Sequence, residues 1–138
     1  EDPTADDATF SLAENSGLGT LVGTVSASDP DAGDTLGYAI TAGNTDGAFA
    51  IDAATGEIAV ANVAALDLET NPTFSLTVEV QDDGAGTLTD TATVTIDLND
   101  LNEAPVVGDQ SFSVDENSAN GTFVGTVVAP WLVLSVVL

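Results

Sequence analysis

The stretch "TFSLTVEVQDDGAGTLTDTATVTIDLN", Thr73 to Asn99, decides the fold class. Phe74, Leu76, Val78 and Val80 alternate with Ser75, Thr77 and Glu79. Further on, Ala92, Val94, Ile96 and Leu98 alternate with Thr93, Thr95 and Asp97. A period of two over this length predicts two half-buried strands. "DDGAG" at 82–86 supplies the glycines that a tight hairpin needs for positive φ. Working outward, short alternating segments separated by turn signals predict strands near 8–13, 20–28, 35–42, 47–52, 57–61, 73–82 and 87–98. No window sustains a helical period, and "ANVAALDLE" holds one helical turn at most. The expectation is an all-β chain, a seven-stranded β-sandwich.

The chain also repeats itself. "FSLAENSGLGTLVGTVSA", Phe10 to Ala27, and "FSVDENSANGTFVGTVVA", Phe112 to Ala129, are identical at twelve of eighteen positions without a gap, at an offset of 102. A period of that size fits tandem whole domains rather than a solenoid of short units. We expect one complete repeat over 1–102 and the start of a second over 103–138. The alignment ends after Ala129. Where the first repeat continues "SDPDAGDTL", the second gives "PWLVLSVVL", so Trp131 and Val133 stand opposite Asp29 and Asp31. This tail, 130–138, is too short to span a bilayer, which takes about 17–25 apolar residues. It is instead an uncharged, β-prone segment that exposes an aggregation hazard unless it pairs. Beginning at Glu1 and ending in mid-repeat, the sequence reads as a piece of a longer protein.

Composition narrows the function. The net charge is −23, with no Lys, Arg, His or Cys among 138 residues. Nothing here can neutralise a phosphate, so nucleic acid and anionic membranes are disfavoured partners. Without His, Cys or Lys, neither a nucleophile–base pair nor a Schiff base can be built. The acids lie at linker and loop positions rather than as a glycosidase pair, and we expect no enzyme and no small-molecule substrate. Carboxylates about 4 Å apart repel by roughly 4 kcal/mol at an effective dielectric near 20. Clustered acids therefore separate, protonate or share a metal. An all-oxygen donor set argues for a hard cation, and calcium tolerates loose geometry with about 6–8 oxygens.

Several motifs, in order, carry a family resemblance: "AENS" at 13–16, "SDPDAGD" at 28–34, "FAIDAATGEIAV" at 49–60, "LDLE" at 66–69, "VQDDGAG" at 80–86 and "DLNEAP" at 100–105. The chain resembles a cadherin repeat in its bacterial, surface-protein form. The resemblance implies a Greek-key, immunoglobulin-like sandwich outside the cell or on its surface, in which Ca2+ stiffens the junctions between repeats. It implies Glu14, Asp67, Glu69, Asp100 and Glu103 as side-chain ligands between the two repeats, with the Leu101 carbonyl, and Asn102 at a third ion. Asp29, Asp31 and Asp82 would serve a preceding junction, and Glu116 a following one. The linker is one residue shorter than the family's and carries Glu103 at its second acid. Trp131 and Val133 offer no carboxylate, so the third ion is not expected at this junction.

The implied partners are neighbouring repeats of the same chain, with other cell-surface proteins or glycans beyond them. A glycan-binding sandwich is the alternative reading, with Tyr38 as the candidate exposed platform. Each acid also has a plain structural role available: Asp29, Pro30 and Asp31 make a good turn, and Asp82 and Asp83 precede a glycine.

Overall fold

Alternating apolar side chains build the first part of the chain from β1 (Thr4–Ala5), β2 (Ala8–Ala13), β3 (Leu21–Thr24), β4 (Ala27–Ser28), β5 (Leu36–Ala42), β6 (Phe49–Ile51), β7 (Glu57–Val60), β8 (Thr73–Asp82) and β9 (Thr89–Asn99). β10 (Phe123–Ala129) and β11 (Leu132–Val137) follow. The computed structural model describes residues 1–138 apart from Ala32, Glu103, Val106, Pro130, Trp131 and Leu138, and only the backbone of 132–137. Two units are resolved, Glu1–Leu101 and Asn102–Leu138.

In the first unit a four-stranded sheet, ordered β2-β9-β8-β5, faces a three-stranded sheet ordered β3-β7-β6. The β8–β9 hairpin is antiparallel, with Phe74 opposite Ile96 and Val78 opposite Ala92. The inward phase predicted for it is the one found. Leu76, Val78, Val80, Val94 and Ile96 are fully buried, while Asp97 and Asn99 face out. Ile58, Val60, Leu66 and Phe49 close the core from the other side, with Phe49 and Phe74 edge-to-face at 5.0 Å. Each such Val, Leu, Ile or Phe contributes about 1.5–3 kcal/mol by leaving water.

Two departures from the expected strands have local causes. The strand expected over 20–28 splits into β3, which pairs with β7, and β4, which pairs with β1. Its ladder to β7 shifts between Leu21 and Gly23, where the Phe10 ring occupies the space a Cβ on Gly23 would need. The strand expected from 87 begins at Thr89, because Gly86 and Thr87 both take positive φ in the hairpin turn. The helical turn allowed in "ANVAALDLE" is a 3-10 turn at Val63–Ala65, capped by the Asn62 side chain accepting the Ala64 N–H at 3.2 Å. No helix among the described residues is long and apolar enough to cross a membrane.

β2 runs parallel to β9, with Ala8 opposite Val94 and Ala13 opposite Asn99. This pairing brings the end of β2 beside the end of β9, and so sets Glu14 next to the residues that leave the sheet.

In the second unit, the tail pairs with the strand before it. Phe123 lies opposite Val137, Gly125 opposite Val136 and Thr126 opposite Ser135, with a shift between Phe123 and Gly125.

Candidate metal centres

The first centre forms where β2 and β9 end together. The backbone N–H of Glu14 donates to the Asn99 carbonyl at 3.0 Å, and that of Asn15 to the Leu66 carbonyl at 3.0 Å. These bonds turn Glu14 inward, and the residue is only 2% exposed. A buried carboxylate needs donors. Glu14 has two: Oε1 accepts the Leu101 N–H at 2.8 Å and Oε2 the Leu68 N–H at 3.0 Å. They hold its carboxyl below the usual Glu range, Leu101 most strongly, against burial and the charge of Asp67.

Asp67 accepts the Glu69 and Thr70 N–H groups at 3.0 and 3.2 Å and the Thr70 hydroxyl at 3.0 Å. The Thr70 hydroxyl does most to hold it below the usual Asp range. Glu69 moves the other way. Its own N–H favours the charged form, but burial, the shared contact with Asp67 and the charges of Glu14 and Asp67 together raise it. Oxygens of Glu14, Asp67 and Glu69 all lie within 4.8 Å of one another. Asp100 is exposed, at the point where the chain leaves β9. Leu101 contributes its N–H to Glu14. Asn102 is an exposed residue of the second unit, and Glu103 lies outside the described residues.

The second centre lies at the other end of the β8–β9 ladder, roughly 30 Å away at about 3.3 Å per residue. Oxygens of Asp29, Asp31 and Asp34 come within 4.8 Å of one another. Asp29 Oδ1 accepts the Asp31 N–H at 2.6 Å, the turn role anticipated for this segment. Asp29 Oδ2, however, is buried without a hydrogen-bond partner. Such an atom invites a cation. Asp31 also accepts from the Glu1 α-ammonium. Burial, then the charges of Asp31, Asp29, Asp83 and Asp82, push the Asp34 carboxyl up.

Asp82, expected as a ligand here, is 5% exposed and accepts the Leu88 N–H through Oδ1 at 2.8 Å, closing the hairpin. It stands outside the triad of converging oxygens. Gly84 connects the two: a Cβ there would strike Asp34 Oδ2 and lie 3.6 Å from Asp82 Oδ2. Asp83 serves structure, accepting the Thr35 N–H at 2.7 Å and the Thr35 hydroxyl, which holds it below the usual Asp range.

Sequence reasoning missed Asp34. The signal was present in "DPDAGD", a third acid three residues after the second, but the turn already accounted for the stretch. The glycan platform fares less well in geometry, since Tyr38 is half-buried and packs on the core beneath Gly56. Glu116, the counterpart of Glu14, is exposed, while Trp131 lies outside the described residues.

Comparison with known proteins gives one answer. The family model described as "Cadherin domain" matches residues 8–99. Protocadherin Fat 4 of Mus musculus is 41% identical over 114 residues, covering 80% of this chain and 2% of the relative. The protocadherin-like wing polarity protein stan of Drosophila melanogaster is 40% identical over 121 residues, covering 86% of this chain and 3% of the relative. Among solved structures, the protocadherin gammaB4 extracellular domain superposes with a TM-score of 0.67 at 27% identity, over 93% of this chain and 23% of that one. The human desmocollin-1 ectodomain gives 0.66 at 29%, over 93% and 26%. The chain thus spans only a few hundredths of the length of these curated relatives.

Proposed function

Because the chain belongs to the cadherin domain family, a family of non-enzymatic adhesion domains displayed outside the cell or on its surface, we propose that it is a calcium-binding adhesion or stalk module. In this reading residues 1–102 are one complete repeat and 103–138 the start of the next. Calcium at the repeat ends holds consecutive repeats in line, so that a binding surface projects from the cell. Its partners are neighbouring repeats and other cadherin ectodomains.

The observation that carries the proposal is the convergence of Glu14, Asp67 and Glu69. One of the three is buried and kept ionised by two backbone donors, in a chain with no Lys, Arg or His. Three acids held this close in an all-oxygen site fit a hard divalent ion. Glu14, Asp67, Glu69 and Asp100 would hold it, with the Leu101 carbonyl and Glu103 from the linker and Asn102 toward a further ion. At the other end Asp29, Asp31 and Asp82 would bind, joined by Asp34. When bound, the ion neutralises the cluster and couples the end of one repeat to the next. At the junction within this chain the second repeat supplies Trp131 and Val133 in place of two aspartates, so that junction binds fewer ions than a complete one.

Thermal melts across a calcium titration test this. The melting temperature rises with millimolar calcium and falls back with chelator; a melt indifferent to calcium removes the proposal.

A further inference from the structure

The two sheets of the first unit present different faces to solvent. On the four-stranded sheet the outward side chains of β8 and β9 are Ser75, Thr77, Glu79, Thr93, Thr95 and Asp97, the polar set a solvated face calls for. On the three-stranded sheet the outward row is apolar: Leu21 stands opposite Ala59, and Ala59 opposite Ala50. Leu18 and Leu21 are the most exposed large apolar side chains among the described residues of this unit, at 73% and 57%. At the repeat offset of 102, the position of Leu21 is taken by Phe123, again large and apolar.

This apolar row is held in place. The Gly19 N–H donates to the Val60 carbonyl at 2.8 Å and the Val60 N–H to the Thr20 carbonyl at 3.0 Å, so the loop carrying Leu18 extends the sheet. The small residues Gly19, Ala50 and Ala59 leave an open groove of about 510 Å³ beside Leu21. Asp52 and Glu57 line the same groove, both exposed. The Asp52 N–H donates to the Glu57 carbonyl at 2.8 Å, which sets the two acids side by side one row further along. At about 3.4 Å per residue, that row lies roughly 7 Å from the apolar one. Asp52 Oδ1 accepts the Ala54 and Thr55 N–H groups, both at 2.9 Å, and these bonds, Ala54 first, hold its carboxyl below the usual Asp range. The groove therefore joins an apolar floor to a fixed negative end.

An apolar patch on an otherwise solvated sheet marks an interaction surface. We propose that the outer face of β3, β7 and β6 docks an extended segment of another protein, one with a leucine-sized apolar side chain at one position and a lysine or arginine two positions on. Residues two apart in an extended chain share a face and lie roughly 7 Å from each other. The apolar side chain then enters the groove beside Leu21 while the cation meets Asp52 and Glu57. A second copy of this chain does not fit, since it has no Lys, Arg or His and would set its own acids against these. None of the groove residues belongs to either metal centre, so the proposal does not rest on the ions.

The probe is the end-capped heptapeptide Gly-Thr-Leu-Thr-Lys-Thr-Gly, titrated into the full 138-residue chain at physiological ionic strength and followed by amide NMR shifts, once in calcium and once in chelator. The expected result is saturable shifts centred on 18–21, 50–52 and 57–59 in both arms. Peptides with Thr for Leu, or Glu for Lys, should bind at least about fivefold more weakly. Leu21→Ser should weaken binding to a similar extent. Glu57→Lys should reverse the preference, favouring the Glu peptide over the Lys peptide. Both positions are exposed, so both variants should keep the parent's melting profile. Absence of saturable shifts overturns the proposal, as does equal binding of the Thr peptide or a preference that Glu57→Lys leaves unchanged. Shifts centred on Glu14, Asp67 and Glu69 or on Asp29, or binding lost in calcium, also overturn it, since the peptide would then be a counter-ion for the acidic clusters. Dimerisation through this face without peptide would overturn the choice of partner.

Discussion

Glu14 and Leu101 stand 87 positions apart and are joined by a 2.8 Å hydrogen bond, the Leu101 N–H donating to Glu14 Oε1. The residue that ends the first unit is therefore held by the residue that follows its second strand. A carboxylate that fixes the exit of the chain and faces two other acids has a structural task and, in the proposed reading, a metal-binding one as well.

Glu14→Ala separates the proposed ion from the scaffold. It removes the acceptor for Leu68 and Leu101, so Tm falls by about 5 °C or more without calcium. It also abolishes most of the rise in Tm on adding calcium. Paired melts with chelator and with calcium check both.

The pH dependence has two opposed limbs. Glu69 and Asp34 have raised values in the folded chain, so the stability tied to their protonation is lost as pH rises through those values. Glu14, Asp67 and Asp83 have lowered values, so theirs is lost as pH falls through them. The metal-free chain should gain stability as pH drops from 7 toward the top of the carboxylate range. It should lose stability again below the ordinary values of 4.5 for Glu and 3.8 for Asp. Urea midpoints in chelator across this range measure it, and calcium should raise the neutral side.

Asp34→Asn tests the second centre. It removes one charge from a group of five acids, so the metal-free chain at pH 7 should melt higher than the parent. Calcium should stabilise the variant less. A metal-free melt below the parent's would show that the Asp34 charge is not strained.

Gly43→Ala probes the backbone alone. Gly43 has φ 78, and an added Cβ would run into the Ser75 carbonyl. Strain and overlap together should cost about 2 kcal/mol or more, read as a lower urea midpoint with an unchanged slope.

The β8–β9 hairpin was legible because its burial follows a strict period of two, and every inward residue from Phe74 to Leu98 announces itself. The convergence of Glu14 with Asp67 and Glu69 followed from motif resemblance; no local pattern encodes it. The parallel β2–β9 pairing joins Ala8 to Val94 across 86 positions and leaves no periodic trace. Asp34 was hidden because a turn already explained its neighbours. Asp82 has a second task that its motif does not announce, accepting the Leu88 N–H across the hairpin. The register of β11 is the sharpest case. Side-chain identity with the first repeat ends at Ala129, yet the β10–β11 pairing carries the same shift that β3 and β7 show.

The parallel ladder between β2 and β9 also decides how the first unit meets tension. The chain enters at the Ala8 end of that ladder and leaves at the Asn99 end, so traction along the repeat loads all its hydrogen bonds in shear at once. An antiparallel pair in the same place would peel open one bond at a time. For a link in a tether, that difference is mechanical strength.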